Sequence, residues 1–211
     1  FSVNCIGGVL KDMDSGMLVQ ISRTVDEIER ELRPVADTFL RDVTVGSRLN
    51  GLGVLSAEDA KGMGAVGPML RASGVPYDSR LTGYAAYGDL SVEPITATAG
   101  DSMARCEVRI REIYQSFRLI REAIAKIPQG DIAVPVKGNP NGESFMRIEQ
   151  PRGEAIYYVK ANGTKFLDRF RLRTPTTSNI PPMLDLLRGC QLADVALLIL
   201  TIDPCISCTE R

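Results

Sequence analysis

The sequence predicts an α+β fold that is mainly helical, with a long central amphipathic helix and a small antiparallel hairpin sheet. Three observations carry this. Met103, Cys106, Ile110, Ile113, Phe117, Ile120, Ile124 and Ile127 alternate at spacings of three and four over more than three heptads, the stripe of a helix with one apolar seam. Leu18, Ile21, Val25, Ile28 and Leu32 repeat that spacing earlier in the chain. Asn162-Gly163 lies between two β-rich runs, Ala155 to Lys160 and Lys165 to Arg173; both residues tolerate positive φ, so the pair signals a hairpin.

In chain order, the first helix takes Asp14 or Ser15 as its cap, and Pro34 kinks or breaks it at the far end. A glycine-rich stretch runs from Gly46 to Gly67, in which Ser56-Ala-Glu-Asp59 begins one helical turn. Residues 67–88 read as irregular, with turns at Gly74-Val-Pro76 and Thr82-Gly83. The long helix follows, capped by Asp101 and ended before Pro128; Arg105, Arg109, Glu112 and Arg118 are expected on its solvated face. In the hairpin, Phe166, Phe170 and Leu172 alternate with Arg169, Arg171 and Arg173, which predicts one wet face. Pro181-Pro182 opens a short helix ending near Gly189. A second runs from about Gln191 to Leu200, apolar on most sides as a buried helix is.

The chain has 211 residues, 44% hydrophobic and 24% charged, enough for one sizeable core, so a single domain over residues 1–211 is expected. A formal charge of −1 provides no broad field for nucleic acid, and none is expected as a partner. Residues 1–5 lack the basic start and apolar core of a leader. The longest apolar run, Val195 to Ile202, is interrupted only by Thr201 and falls far short of the roughly 20 residues of a membrane span. Any membrane link is therefore expected through partners. With no histidine in the sequence, Ser-His-Asp chemistry and histidine metal ligation are excluded. Five cysteines in this composition suit a reducing compartment better than a secreted disulfide scaffold.

The chemistry is concentrated in Asp203-Pro204-Cys205-Ile206-Ser207-Cys208-Thr209-Glu210-Arg211. Thiolates select soft or borderline metals such as zinc, iron and nickel. Two buried thiols without a role are the plain alternative. A redox dithiol is disfavoured because it belongs at a helix start after a strand. A closed zinc site needs four N or S ligands, and Cys5, Cys106 and Cys190 lack metal-type spacing; Cys106 and Cys190 read as packing residues.

Asp-Pro-Cys-x-x-Cys-x-x-Arg at 203–211 resembles the C-terminal motif of nickel–iron hydrogenase large subunits, in the energy-converting (Ech-type) variant. Further blocks are similar in order: Phe1-Ser-Val-Asn-Cys-Ile-Gly-Gly-Val9 with Lys11-Asp12, Leu70-Arg-Ala-Ser-Gly74 with Asp78 and Arg80, Gly100-Asp101, and Gln150-Pro151-Arg152-Gly153-Glu154. The resemblance implies that Cys205 is a terminal ligand of nickel and that Cys208 bridges nickel to an iron carrying CO and cyanide. It implies that Arg152, Pro151 and Asp203 form part of a canopy over the open metal position. It also implies an iron–sulfur cluster on a hydrogenase small subunit, a ferredoxin-like electron donor, ion-translocating membrane subunits, and a peripheral place on the cytoplasmic side of the membrane. Arg211 stands where standard members have histidine, so no magnesium ligand carries over.

The family's other two thiolates come from an Arg-x-Cys-Gly-x-Cys motif that this sequence lacks. The resemblance therefore implies the C-terminal part of a large subunit, with the other ligand pair supplied by another chain or segment. The related quinone-reactive 49-kDa subunit of complex I shares the scaffold and lacks the thiol pair, so a non-catalytic coupling subunit of that type is the alternative, followed by a simple metal-thiolate module.

Overall fold

A computed structural model describes residues 3–210. It shows an α+β architecture of eight α-helices, a two-stranded ribbon and a three-stranded antiparallel sheet among those residues. The chain opens with the ribbon β1 (Asn4–Cys5) and β2 (Gly8–Val9). Helix α1 (Ser15–Arg41) is capped by Asp14, whose carboxylate accepts the Met17 N–H at 2.8 Å. Pro34 does not end it: the helix continues for two further turns. Proline removes only its own N–H from the ladder, and Thr38 Oγ1 donates to the Pro34 carbonyl at 2.7 Å.

The glycine-rich stretch holds more helix than expected. Helix α2 (Val43–Leu49) starts at Asp42, α3 (Ala57–Gly62) at Ser56 as predicted, and α4 (Pro68–Ala72) lies where irregular chain was expected. Pro68 sits at the first helical position, where its missing N–H costs nothing. Two 3-10 turns, Ser79–Thr82 and Ala85–Asp89, lead to α5 (Ser102–Lys126). Asp101 caps α5 by accepting from Ala104 N–H at 2.8 Å.

The charges on α5 correct the sequence reading. Arg105 is fully buried, Arg109 and Glu112 are half-buried, and only Arg118 points to solvent, while Ile113 and Ile120 on the predicted seam are exposed. Helical spacing marks an apolar stripe but is blind to a second packed face. Here the loop residues Gly53 and Gly100, Ser102 and the end of α7 supply carbonyls and hydroxyls that satisfy the guanidiniums, so they can leave solvent. Arg105 donates to the carbonyls of Gly53 and Gly100 at 2.9 and 3.0 Å and to Ser102 Oγ at 2.8 Å. Burial brings Arg105 down to about 10.

Strands β3 (Asn141–Gln150), β4 (Gly153–Asn162) and β5 (Leu167–Arg173) form the sheet in sequence order. The hairpin at Asn162-Gly163 joins β4 to β5 as predicted; β3, whose apolar residues Phe145, Met146 and Ile148 fall on no single face, was not foreseen. Asn141 pairs with Asn162 and Gln150 with Gly153, so Pro151-Arg152 alone makes the β3–β4 turn. Phe166 and Phe170 are exposed, against the expected covered apolar face. Helix α6 (Pro175–Leu187) begins at the Thr174 cap and passes through Pro181 and Pro182 rather than starting there. Helix α7 (Leu192–Ile202) buries Leu198 and Ile202 but exposes Leu192 and Leu200, so one side of it is bare. The four-residue α8 (Ile206–Thr209) follows.

The core gathers Leu55, Ala60, Ala65, Met69, Leu70, Leu198 and Ile202 between α3, α4 and α7, with Ala72, Ala104 and Val108 beside it. At its edge Arg71 is 1% exposed. Its Nε donates to Glu112 at 2.7 Å, and its Nη1 to Glu149 at 2.9 Å and to the Tyr77 carbonyl at 2.9 Å. Asp78 stands 3.5 Å away and is held by Arg80 at 2.6 Å. Burial alone would raise the Asp78 carboxyl, but hydrogen bonds and charge from Arg80 and the charge of Arg71 bring it below its ordinary range. Burial pushes Glu149 up against the pull of Arg71.

Two glycines fix where the β3–β4 turn lies. Gly67 (φ 66°) and Gly153 (φ 127°) meet backbone to backbone; a Cβ on Gly67 would come 2.4 Å from the Arg152 carbonyl oxygen, and one on Gly153 2.7 Å from Gly67 N. Asn179 of α6 stitches the junction, accepting from Val66 N–H at 2.9 Å and donating to the carbonyls of Val66 and Arg152. Gly153→Ala should therefore lose about 2–5 kcal/mol, combining left-handed backbone strain with overpacking. Arg71→Met should lose about 3–5 kcal/mol by leaving carboxylates buried and unpaired. Urea denaturation of each variant against wild type checks both.

Candidate functional site

The site is built where α7 stops. Asp203 closes the helix with its N–H on the Ile199 carbonyl at 3.0 Å and takes a left-handed conformation, φ 61° and ψ 56°. For a residue with a Cβ this costs roughly 1–2 kcal/mol. Two guanidiniums hold it there. From the β3–β4 turn, Arg152 Nε donates to the Asp203 carbonyl at 2.8 Å and Nη2 to its carboxylate at 3.1 Å. From α5, Arg109 Nη2 donates to the Ile202 carbonyl at 2.8 Å, and its Nη1 stands 3.6 Å from the Asp203 carboxylate.

Beyond Asp203, Pro204 has no N–H to continue the helix, and Cys205 caps α8. The first turn of α6 anchors this tail. Thr176 Oγ1 accepts the Cys205 N–H at 3.0 Å, and Thr174 Oγ1 donates to the Cys208 carbonyl at 2.7 Å. Thr209 Oγ1 donates back to the Cys205 carbonyl at 2.8 Å. Both thiols are half-buried. Cys205 Sγ lies 3.1 Å from Ser207 Oγ. That hydroxyl, with the Cys208 backbone N–H and thiol and the more distant Arg152 charge, lowers the Cys205 thiol to about 7. Burial raises the Cys208 thiol, and the neighbouring Cys205 pushes it further. The two thiols are thus shifted in opposite senses, so the first proton leaves from Cys205.

The structure therefore brings four of the five residues singled out in the sequence, Cys205, Cys208, Asp203 and Arg152, into one corner. Pro151 stands at the tip of the same turn and lines an adjoining cleft of about 380 Å³ with Arg71, Arg80, Arg109, Glu112 and Glu149. Against the sequence expectation, Cys205 does stand at the start of a helix, although of only four residues. Sequence reasoning missed Arg109, Thr174 and Thr176. The threonines carried a signal, a Thr-Pro-Thr-Thr run at a helix start; Arg109 carried none, because its role depends on a segment more than ninety residues away. Phe1, Ser2 and Arg211, which belong to the resemblance, lie outside the described residues.

As a metal centre the corner offers two thiols facing one side. Among the described residues no group of three or more Cys, His, Asp or Glu could enclose an ion; Cys5, Cys106 and Cys190 do not join the pair. The donors among the described residues thus do not by themselves make up a four-thiolate centre.

The hydroxyl next to Cys205 makes a direct test. In metal-free protein, alkylation of Cys205 should outpace that of Cys208, with a rate midpoint near pH 7. Ser207→Ala removes a donor to the thiolate and should move that midpoint upward, as read by iodoacetamide labelling followed by peptide mass analysis.

Comparison with known proteins places the chain. The model of the respiratory-chain NADH dehydrogenase 49 Kd subunit family matches residues 1–140 and 133–211. The carbon monoxide-induced hydrogenase of Rhodospirillum rubrum is 38% identical over 209 residues, covering 98% of this chain and 58% of that protein. The membrane-bound hydrogenase subunit alpha of Pyrococcus furiosus is 35% identical, over 100% of this chain and 54% of its own length. An NADH-quinone oxidoreductase subunit of Chloroherpeton thalassium is 31% identical, over 94% and 52%. The chain spans between half and three-fifths of the length of these relatives. Hydrogenase and quinone-reductase subunits thus match side by side, which supports the family while leaving its two branches to be separated by chemistry. The chain belongs to the family of the respiratory-chain NADH dehydrogenase 49 Kd subunit.

Proposed function

We propose that this chain carries the terminal thiolate pair of the catalytic large subunit of an energy-converting nickel–iron hydrogenase, interconverting H2 with protons and electrons. The observation that carries the reading is the Cys205–Cys208 pair held beside an Asp203 gripped by Arg152. A nickel–iron centre bearing CO and cyanide would supply the heterolytic H2 chemistry. Cys205 and Cys208 would hold its one side, and two thiolates from another segment or chain the other.

The chain's own groups suit the remaining tasks. Cys205 Sγ would be kept deprotonated by the metal it ligates while retaining a lone pair, so it would take and return a proton as a general base. Arg152 contributes a fixed charge with donors already oriented by Asp203, so little reorganisation is needed when charge develops nearby. Pro151 lines the adjoining cleft without bringing an N–H of its own.

A hydrogenase small subunit with an iron–sulfur cluster and a ferredoxin-like donor would move the electrons. No helix among the described residues is long and apolar enough to cross a membrane. Attachment to ion-translocating membrane subunits, peripherally on the cytoplasmic side, would then rest on partner contacts. The name of the Pyrococcus furiosus relative, a membrane-bound hydrogenase subunit, supports that placement. A second reading, a non-catalytic coupling subunit of the complex I type, is favoured by the family description and by the NADH-quinone oxidoreductase relatives. The thiol pair argues for the first.

The native complex containing this chain should show infrared bands of CO and cyanide on iron and should oxidise H2. Cys205→Ser should lower turnover by at least ~10³-fold, as removal of a group from an interdependent catalytic set does. A native complex with quinone reduction and neither set of bands would favour the second reading.

A further inference from the structure

Arg109 is a half-buried cation that the reading above does not use. Its contacts converge on one place. Nη2 donates to the Ile202 carbonyl at 2.8 Å and lies 3.5 Å from the Thr201 carbonyl, and Nη1 faces the Asp203 carboxylate at 3.6 Å. Carbonyls in the last turn of a helix have no partner within it, so Arg109 closes the end of α7 from outside. One turn earlier on α5, Arg105 Nε reaches Thr201 Oγ1 at 3.3 Å, and two successive turns of α5 thus hold the last turn of α7. Among the described residues Arg109 Nε is buried without an acceptor. The guanidinium's hydrogen bonds among the described residues therefore go to the end of α7. Burial lowers its pKa, with Asp203 and Glu112 opposing.

The held segment is the one that aims the thiols. Asp203 is the single left-handed residue between α7 and the cysteine loop, and Cys205 follows two residues later with its N–H fixed on Thr176. Arg152 holds Asp203 from the turn side only. Without a grip from α5, the strained turn is constrained on one face.

We propose that Arg109 is a positioning residue for the thiolate pair, fixing the left-handed Asp203 turn from the helix side as Arg152 does from the β-turn side. It acts through Asp203 and the α7 carbonyls and touches neither sulfur. The inference rests on the metal-thiolate reading for its catalytic consequence, and on geometry alone for its structural one.

The test compares wild type, Arg109→Gln and Arg109→Lys in the native complex by three measurements: CO and cyanide infrared bands, kcat and KM for H2, and amide hydrogen exchange of residues 203–209. Arg109→Gln should keep its metal, shift and broaden the bands, and lower kcat ~10–100-fold with KM nearly unchanged, as small misplacements of reacting groups do. Exchange in 203–209 should rise about tenfold once the carbonyl contacts are lost. Arg109→Lys, whose ammonium reaches one carbonyl at a time, should change the same quantities less. Wild-type bands, kcat and exchange in Arg109→Gln would overturn the proposal; if that variant does not accumulate, wild-type values in Arg109→Lys would do so. A wild-type complex without CO and cyanide bands sinks the metal reading instead, and the exchange measurement still judges Arg109.

Discussion

Much of this structure depends on the burial of Arg71. One guanidinium with almost no exposed surface joins α4 to Glu112 of α5, to Glu149 of β3, and to the carbonyl of Tyr77 before the first 3-10 turn. A charge removed from water is tolerated only where its donors are used, and here the three carboxylates around it are themselves short of water. The consequence is directional. Glu149 is one residue from the β3–β4 turn, so the same ion cluster that anchors α4 also sets the distance between the sheet and α5. Arg152 and Arg109, on those two elements, then meet at Asp203.

Parts of this were legible in the chain and parts were not, for physical reasons. Asp14 and Asp101 announce their helices because a cap needs only a carboxylate three residues before an N–H. The Asn162-Gly163 turn is equally local. The tail was legible as a thiol pair following Asp-Pro, and the structure anchors that pair on Thr174 and Thr176. Pro34 does not break α1 because the hydrogen bond it removes can be absorbed by a 27-residue helix packed along α5. Pro181-Pro182 misled because the cap lies at Thr174, where a threonine ahead of a proline is the stronger start signal.

The buried arginines were not legible at all. Arg105 and Arg109 sit at helical spacing among apolar residues and read as an ordinary wet face. What makes them interior is the set of acceptors brought by residues 53, 100 and 201–203, which no local pattern encodes. The placement of Arg152 has a similar origin. It follows from two glycines eighty-six positions apart whose backbones touch, a fit visible only once the chain is folded.

The bare outer side of α7 has a mechanical meaning. The helix is a stiff rod of eleven residues, about 16 Å long at the usual rise, and only one residue of fixed conformation separates its end from the loop bearing the sulfurs. Leu192, 90% exposed at the opposite end, is the free handle of that rod. Pressure applied at Leu192 or along the uncovered side at Leu200 travels down the rod with little loss, because a helix bends far less readily than a loop. What leans on this outer surface therefore bears on where the two thiols stand, alongside the residues that hold them directly.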